Sequence, residues 1–179
     1  LLYLLPLLLV PLMMKVLWEP ASRPQSLDDP EPGRDAVVPL VLGYLLILSG
    51  MVLSFIVPIQ APILLVGLGV TSSTLIGLSA GLGLLATLGG SLAWPLLRRR
   101  FGIVGCNALL LALLGLGLWL LMRGQSYIAV LVAVLIHGLG AGLLVPNVMA
   151  PVMNALSART RGRGLGGFTA CRYFGQFVS

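Results

Sequence analysis

The chain has one histidine, His137, set inside a long apolar run, and no acidic residue follows Asp35. Acid–base or nucleophilic catalysis needs a partnered base or carboxylate, and a metal needs several ligands at defined spacing. Neither set exists outside the first 35 residues, because all five acids lie between Glu19 and Asp35. Cys106 and Cys171 are the only thiols. Two such cysteines make neither a disulfide framework nor a metal spacing, and they read as small packing residues. The residues therefore argue against an enzyme, with no catalytic residue, metal ligand or cofactor expected. His137 keeps two readings: a proton-sensing group, or a neutral imidazole hydrogen-bonded to a neighbouring helix.

Neutral polar residues inside apolar runs are the better guide to chemistry. Gly140, Asn147 and Asn154 are spaced by seven and share a helix face with Pro151. Tyr44, Ser49 and Ser54 are the polar side chains of the run Ala36 to Val57, and Asn107 lies in the run Ile103 to Met122. Such groups bind or pack; they do not cleave bonds.

The elements that carry them are set by composition. Hydrophobic residues make up 58% of 179 and charged residues 9%, against about 25% charged in a soluble domain. Mean hydropathy is +1.06, so lipid must solvate most of the surface. From Thr74 to Leu97 the chain is apolar or small, and then Arg98, Arg99 and Arg100 arrive together. A helix of that length rises about 36 Å and crosses a hydrocarbon core of about 30 Å. One arginine at mid-span costs about 2.5–3.5 kcal/mol on insertion scales, so the triplet belongs at the water-exposed end.

In order, residues 1–18 read as the end of a membrane helix, with Lys15 and Trp18 at the interface. Residues 19–35, rich in proline and holding every acid, read as a hydrated linker. Residues 36–179 read as a membrane bundle with spans at about 36–57, 74–97, 103–122 and 126–154 and another starting near 164. A break is expected at Pro58-Ile59-Gln60-Ala61-Pro62. Gly77 and Gly81, with Gly83 beyond them, and Gly138 and Gly142 are expected to let helices pack closely. With alternating spans, Lys15, Arg23, Arg34, Arg98, Arg99, Arg100, Arg159, Arg161 and Arg163 fall on one side and Arg123 on the other. The positive-inside rule makes the first side cytoplasmic. The net charge of +6 thus marks topology, and nucleic acid is not an expected partner. The ends read as internal to a longer chain.

Several stretches together resemble the major facilitator superfamily, from the end of helix six to the start of helix eleven. Trp18-Glu19-Pro20 leads into a charged linker like that between the two six-helix halves. Gln60-Ala61-Pro62, then Gly69-Val70-Thr71-Ser72-Ser73 and Gly77, is similar to the outer loop between helices seven and eight. Arg98-Arg99-Arg100-Phe101-Gly102 sits where the family has its basic loop. Arg161-Gly162-Arg163-Gly164-Leu165-Gly166-Gly167 and Phe174-Gly175-Gln176-Phe177 resemble the start of helix eleven in bacterial drug- and sugar-efflux carriers. Two residues depart from the pattern: Arg99 stands where an acid is usual and Pro95 where a glycine is common. The basic triplet, with Gly102, is accordingly read as topological and lipid-facing.

The resemblance implies an all-α, polytopic transmembrane bundle, an incomplete C-terminal half of such a carrier. It implies secondary transport by alternating access in a bacterial inner membrane, with efflux of a small solute in exchange for protons. Tyr44, Gln60 and Asn147 become candidates to line the substrate cavity, together with His137; the alternative for each is hydrogen bonding between helices. Arg172 reads as a snorkelling side chain. The partners implied are lipid, a small-molecule substrate, protons and an N-terminal six-helix half of the same chain, which would supply the proton-binding carboxylate. A non-transporting structural or regulatory subunit is the competing reading, and a membrane-embedded transferase a weaker third.

Overall fold

The computed structural model describes residues 37–157 and 160–179. The expected helix end at 1–18, the linker at 19–35, Ala36 and Arg159 lie outside the described residues. The described part is helical, in four elements: α1 (Val37–Gly67), α2 (Ser73–Arg123), α3 (Tyr127–Asn154) and α4 (Arg161–Val178). The first three are long and apolar enough to cross a membrane.

The expected break at Pro58–Pro62 does not occur. Both prolines sit inside α1, which continues to Gly67. Proline is tolerated here because a membrane helix packed on neighbours can re-satisfy the few backbone groups it frees. The real stop is at Gly69, whose φ of +83° favours glycine. Val70 N donates to Leu65 O (3.0 Å) and Gly69 N to Val66 O (3.0 Å), the paired bonds of a Schellman cap. Nothing lies within 4 Å of a Cβ built there, so backbone conformation alone demands the glycine.

Helix α2 is two helices joined at Gly102, whose φ of 67° and ψ of −169° are non-helical. The arms, 73–101 and 103–123, each reach about 30 Å or more at 1.5 Å per residue. They must fold back on each other. Residues 137–142 of α3 touch Gly83 and Thr87 on the first arm and Leu113 and Gly117 on the second. A continuous helix would hold those two sets tens of ångströms apart. The expected spans at 74–97 and 103–122, with the arginine triplet at their turn, therefore correspond to the two arms.

Helix α3 is the centre of the bundle. Gly90, Gly138 and Gly142 lie at a backbone-to-backbone seam between α3 and the first arm. A Cβ on Gly142 would run into Thr87 O, one on Gly90 into Leu139 O, and one on Gly138 would fall 2.6 Å from Gly83 O. Gly77 and Gly81, expected to pack, have nothing within 4 Å among the described residues. The reason is angular: at 100° per residue, positions 77 and 81 face away from 83 and 90. Larger residues fill the rest of the core, with Ile47, Leu110, Leu114, Leu143, Leu144 and Val148 in one cluster and Val57, Leu65, Leu121 and Val130 in a second.

Candidate functional site

Two polar sites lie between these helices. The first is a cavity of about 220 Å³ between α1, the first arm of α2 and α3. Each helix gives it one face. Helix α1 contributes positions 54, 57, 58, 61 and 62; the first arm 79, 80, 83, 84 and 87; α3 134, 137, 138 and 141. Steps of three and four residues place each set on a single helical stripe. His137 is the sole ionisable side chain in this lining, and the walls are otherwise aliphatic, small or hydroxylic.

The hydroxyls differ in what they do. Ser79 Oγ donates to Ile76 O (2.7 Å) and Thr87 Oγ1 to Gly83 O (2.9 Å), each within its own helix. The Ser54 hydroxyl is buried and has no hydrogen-bond partner among the described residues. His137 is 3% exposed, and its Nε2 lies 3.1 Å from Leu53 O. A carbonyl only accepts, so Nε2 carries the hydrogen and donates it to α1. The imidazole thus bridges helices and lies beside the cavity. It does not bond to Ser54, so among the described residues no nucleophile–base pair is assembled here.

The second site surrounds Asn147, which is fully buried. Its Oδ1 accepts from Trp94 Nε1 (3.2 Å) and from Arg98 Nη1 (2.9 Å). Its Nδ2 donates to Asn107 Oδ1 (2.7 Å) and to Ile103 O (3.4 Å). The Arg98 guanidinium also lies over the Trp94 ring, 5.9 Å from its centroid. One amide of α3 therefore ties both arms of α2 on either side of Gly102.

Of the four residues expected to line a substrate pathway, His137 lies on the wall of this cavity and the other three lie elsewhere. Asn147 is instead an inter-helix hub. Tyr44 donates its hydroxyl to Gly164 O (2.7 Å), and its ring lies against Gly167, so it joins α1 to α4. Gln60 is exposed and borders a shallow groove with Leu118 and Met122 of the second arm. The arginine triplet divides: Arg98 turns inward to Asn147, whereas Arg99 and Arg100 are exposed. A wholly lipid-facing triplet is thus corrected, since an arginine one turn after Trp94 shares its face and reaches the same amide. Arg161 and Arg163 lie at the start of α4. Arg172, further along, places its guanidinium over the Tyr173 ring. Ser54, Ser79 and Thr87 were not singled out as lining residues. Their signal was present in the three-to-four-residue spacing of hydroxyls and small residues, but it cannot be separated from ordinary small-residue packing without the neighbouring helices.

Long apolar helices with polar groups satisfied from helix to helix define a multi-pass membrane protein. The chain belongs to the Major Facilitator Superfamily, whose family model matches residues 1–179, and so to a family of membrane transporters. No curated protein and no solved structure gives a match.

Proposed function

We propose that this protein is a secondary active carrier that exports a small solute by alternating access, driven by protons across a bacterial inner membrane. The observation that carries the reading is the cavity between α1, α2 and α3, lined by neutral side chains and sited within three long apolar helices. Solute sites of such carriers lie near the bilayer midplane at the interface between their repeats, and on this reading the cavity is the part of that site contributed by the C-terminal half. On this reading α1, the two arms of α2, α3 and α4 correspond to helices seven to eleven, and a preceding six-helix half completes the pathway. The end bearing Arg98 to Arg100 and Arg161 to Arg163 faces the cytoplasm. No carboxylate lies between Asp35 and Ser179, so on this reading the proton-binding acid is supplied by another part of the carrier.

The test is flux through the full-length protein in proteoliposomes, with a panel of dyes and drugs and an imposed pH gradient. Gradient-dependent uptake that stops when an uncoupler is added is the expected result. A folded protein that moves no compound of a broad panel would reverse the proposal in favour of a packing or regulatory subunit.

A further inference from the structure

We infer that the outer face of the first arm of α2 is a binding site for an anionic phospholipid. Arg99 and Arg100 hold its phosphate, and an acyl chain lies along Leu85, Leu88, Leu92 and Leu96. The site requires that the helices span a bilayer and does not depend on what the carrier moves.

The face is apolar for the depth of one leaflet. Leu85, Leu88, Leu92 and Leu96 are 54% to 72% exposed, so no described helix covers them. At 100° per residue the other three fall within about 40° of Leu92, which makes a single strip. The strip runs for about 16 Å, against about 15 Å for half of a hydrocarbon core.

The same rotation sets the charge at its end. Arg99 lies about 20° from Leu92 and Arg100 about 80°, whereas Arg98 lies about 120° away. Arg98 accordingly reaches Asn147 (2.9 Å), while Arg99 and Arg100 stay exposed at the mouth of the strip. No Asp or Glu lies between residues 36 and 179, so neither guanidinium has a carboxylate partner in the described bundle. Arg100 lies over the Phe101 ring, 5.9 Å from its centroid, a contact that uses no N–H group. Two guanidiniums thus present their donors to an anion, and phosphate oxygens match that fork. A lipid of net negative charge is favoured over a zwitterionic one, whose headgroup carries its own cation. The far end of the hairpin offers only Arg123, stacked over Trp119 at 5.2 Å.

The probes are phosphatidylglycerol and phosphatidylcholine with the same diazirine-bearing acyl chain. The full-length protein is irradiated with each in nanodiscs, and labelled residues are mapped by mass spectrometry. Phosphatidylglycerol should label Leu92 and Leu96 in excess over phosphatidylcholine, with a smaller excess at Leu116 and Met122 on the second arm. Arg99→Gln or Arg100→Gln should each cut the excess at Leu92 and Leu96 about fivefold, the factor one arginine near an anionic surface provides. The double Gln variant should bring it to the level at Leu116, and Arg99→Lys with Arg100→Lys should keep most of it. Replacing chloride by inorganic phosphate at fixed ionic strength should change nothing. Equal labelling by the two lipids on the native protein, or an excess that survives the double Gln variant, would overturn the inference. So would Leu92 and Leu96 escaping both lipids, which would mean that protein covers the face, or inorganic phosphate removing the excess, which would mean a site for the free anion.

Discussion

Asn147 has two acceptor lone pairs and two donor hydrogens, and all four are used. Replacing it by leucine keeps the volume roughly constant but strands Arg98, Trp94 and Asn107 without their common partner. Hydrogen bonds between membrane helices average about 0.6 kcal/mol, and a buried group left unpaired costs about 1–3 kcal/mol. Asn147→Leu should therefore lower stability by roughly 2 kcal/mol, read as an earlier midpoint in SDS titration of the protein in mixed micelles. Arg98→Gln should destabilise in the same assay, whereas Arg99→Gln and Arg100→Gln, both at exposed positions, should leave the midpoint unchanged. Equal effects across the triplet would show that Arg98 is not the inward member. His137 makes a single bond, to Leu53 O. Glutamine can still donate there, so His137→Gln should keep both stability and transport, and His137→Leu should lose roughly 0.6 kcal/mol.

At the level of the helices, the seam between α3 and the first arm of α2 is set by the absence of side chains. Gly142→Ala forces a methyl onto the Thr87 carbonyl, and backbone on both sides cannot yield. A loss of more than about 2 kcal/mol is expected from such overpacking. Gly81→Ala meets open space and should change stability by no more than about 0.5 kcal/mol, as surface substitutions do. Gly102→Ala tests the turn: a side chain at φ 67°, ψ −169° costs about 1–3 kcal/mol. These contrasts also mark what the sequence could and could not tell. Apolar length and the arginine triplet carry the expectation of two spans with a turn between them, because transfer energetics act along the chain. Gly77 and Gly81 looked as suitable as Gly138 and Gly142, because spacing does not reveal which face meets a partner. Pro58 and Pro62 looked like a stop for the related reason that a proline's effect depends on what surrounds it. The partners of Asn147 come from residues 40 to 53 positions away, a separation that no local pattern encodes.

Across the whole molecule α3 is the common partner of the described helices. The hairpin of α2 is sewn to α3 by the glycine seam and by the Asn147 hub, while α1 meets α3 through Gly43 and Gly50 and α4 through Tyr44, Gly167 and Gly175. The cavity lies between α1, the first arm of α2 and α3, and His137 with Leu53 is a hydrogen bond beside it. Composition pointed to the class of molecule and short stretches such as Gln60–Pro62, Arg98–Gly102 and Arg161–Gly167 to the family, whereas His137 drew notice because an ionisable group in an apolar run is conspicuous by itself.

The glycine seam also has a mechanical meaning. Where Gly90, Gly138 and Gly142 bring carbonyl groups against the opposing backbone, the first arm of α2 and α3 have no layer of flexible side chains between them to absorb shear. A push on one is delivered to the other without slack, so the pair behaves as a strut. The joint between α1 and α3 differs in kind, because there the glycines Gly43 and Gly50 meet the side chains of Val152 and Leu144 and not backbone.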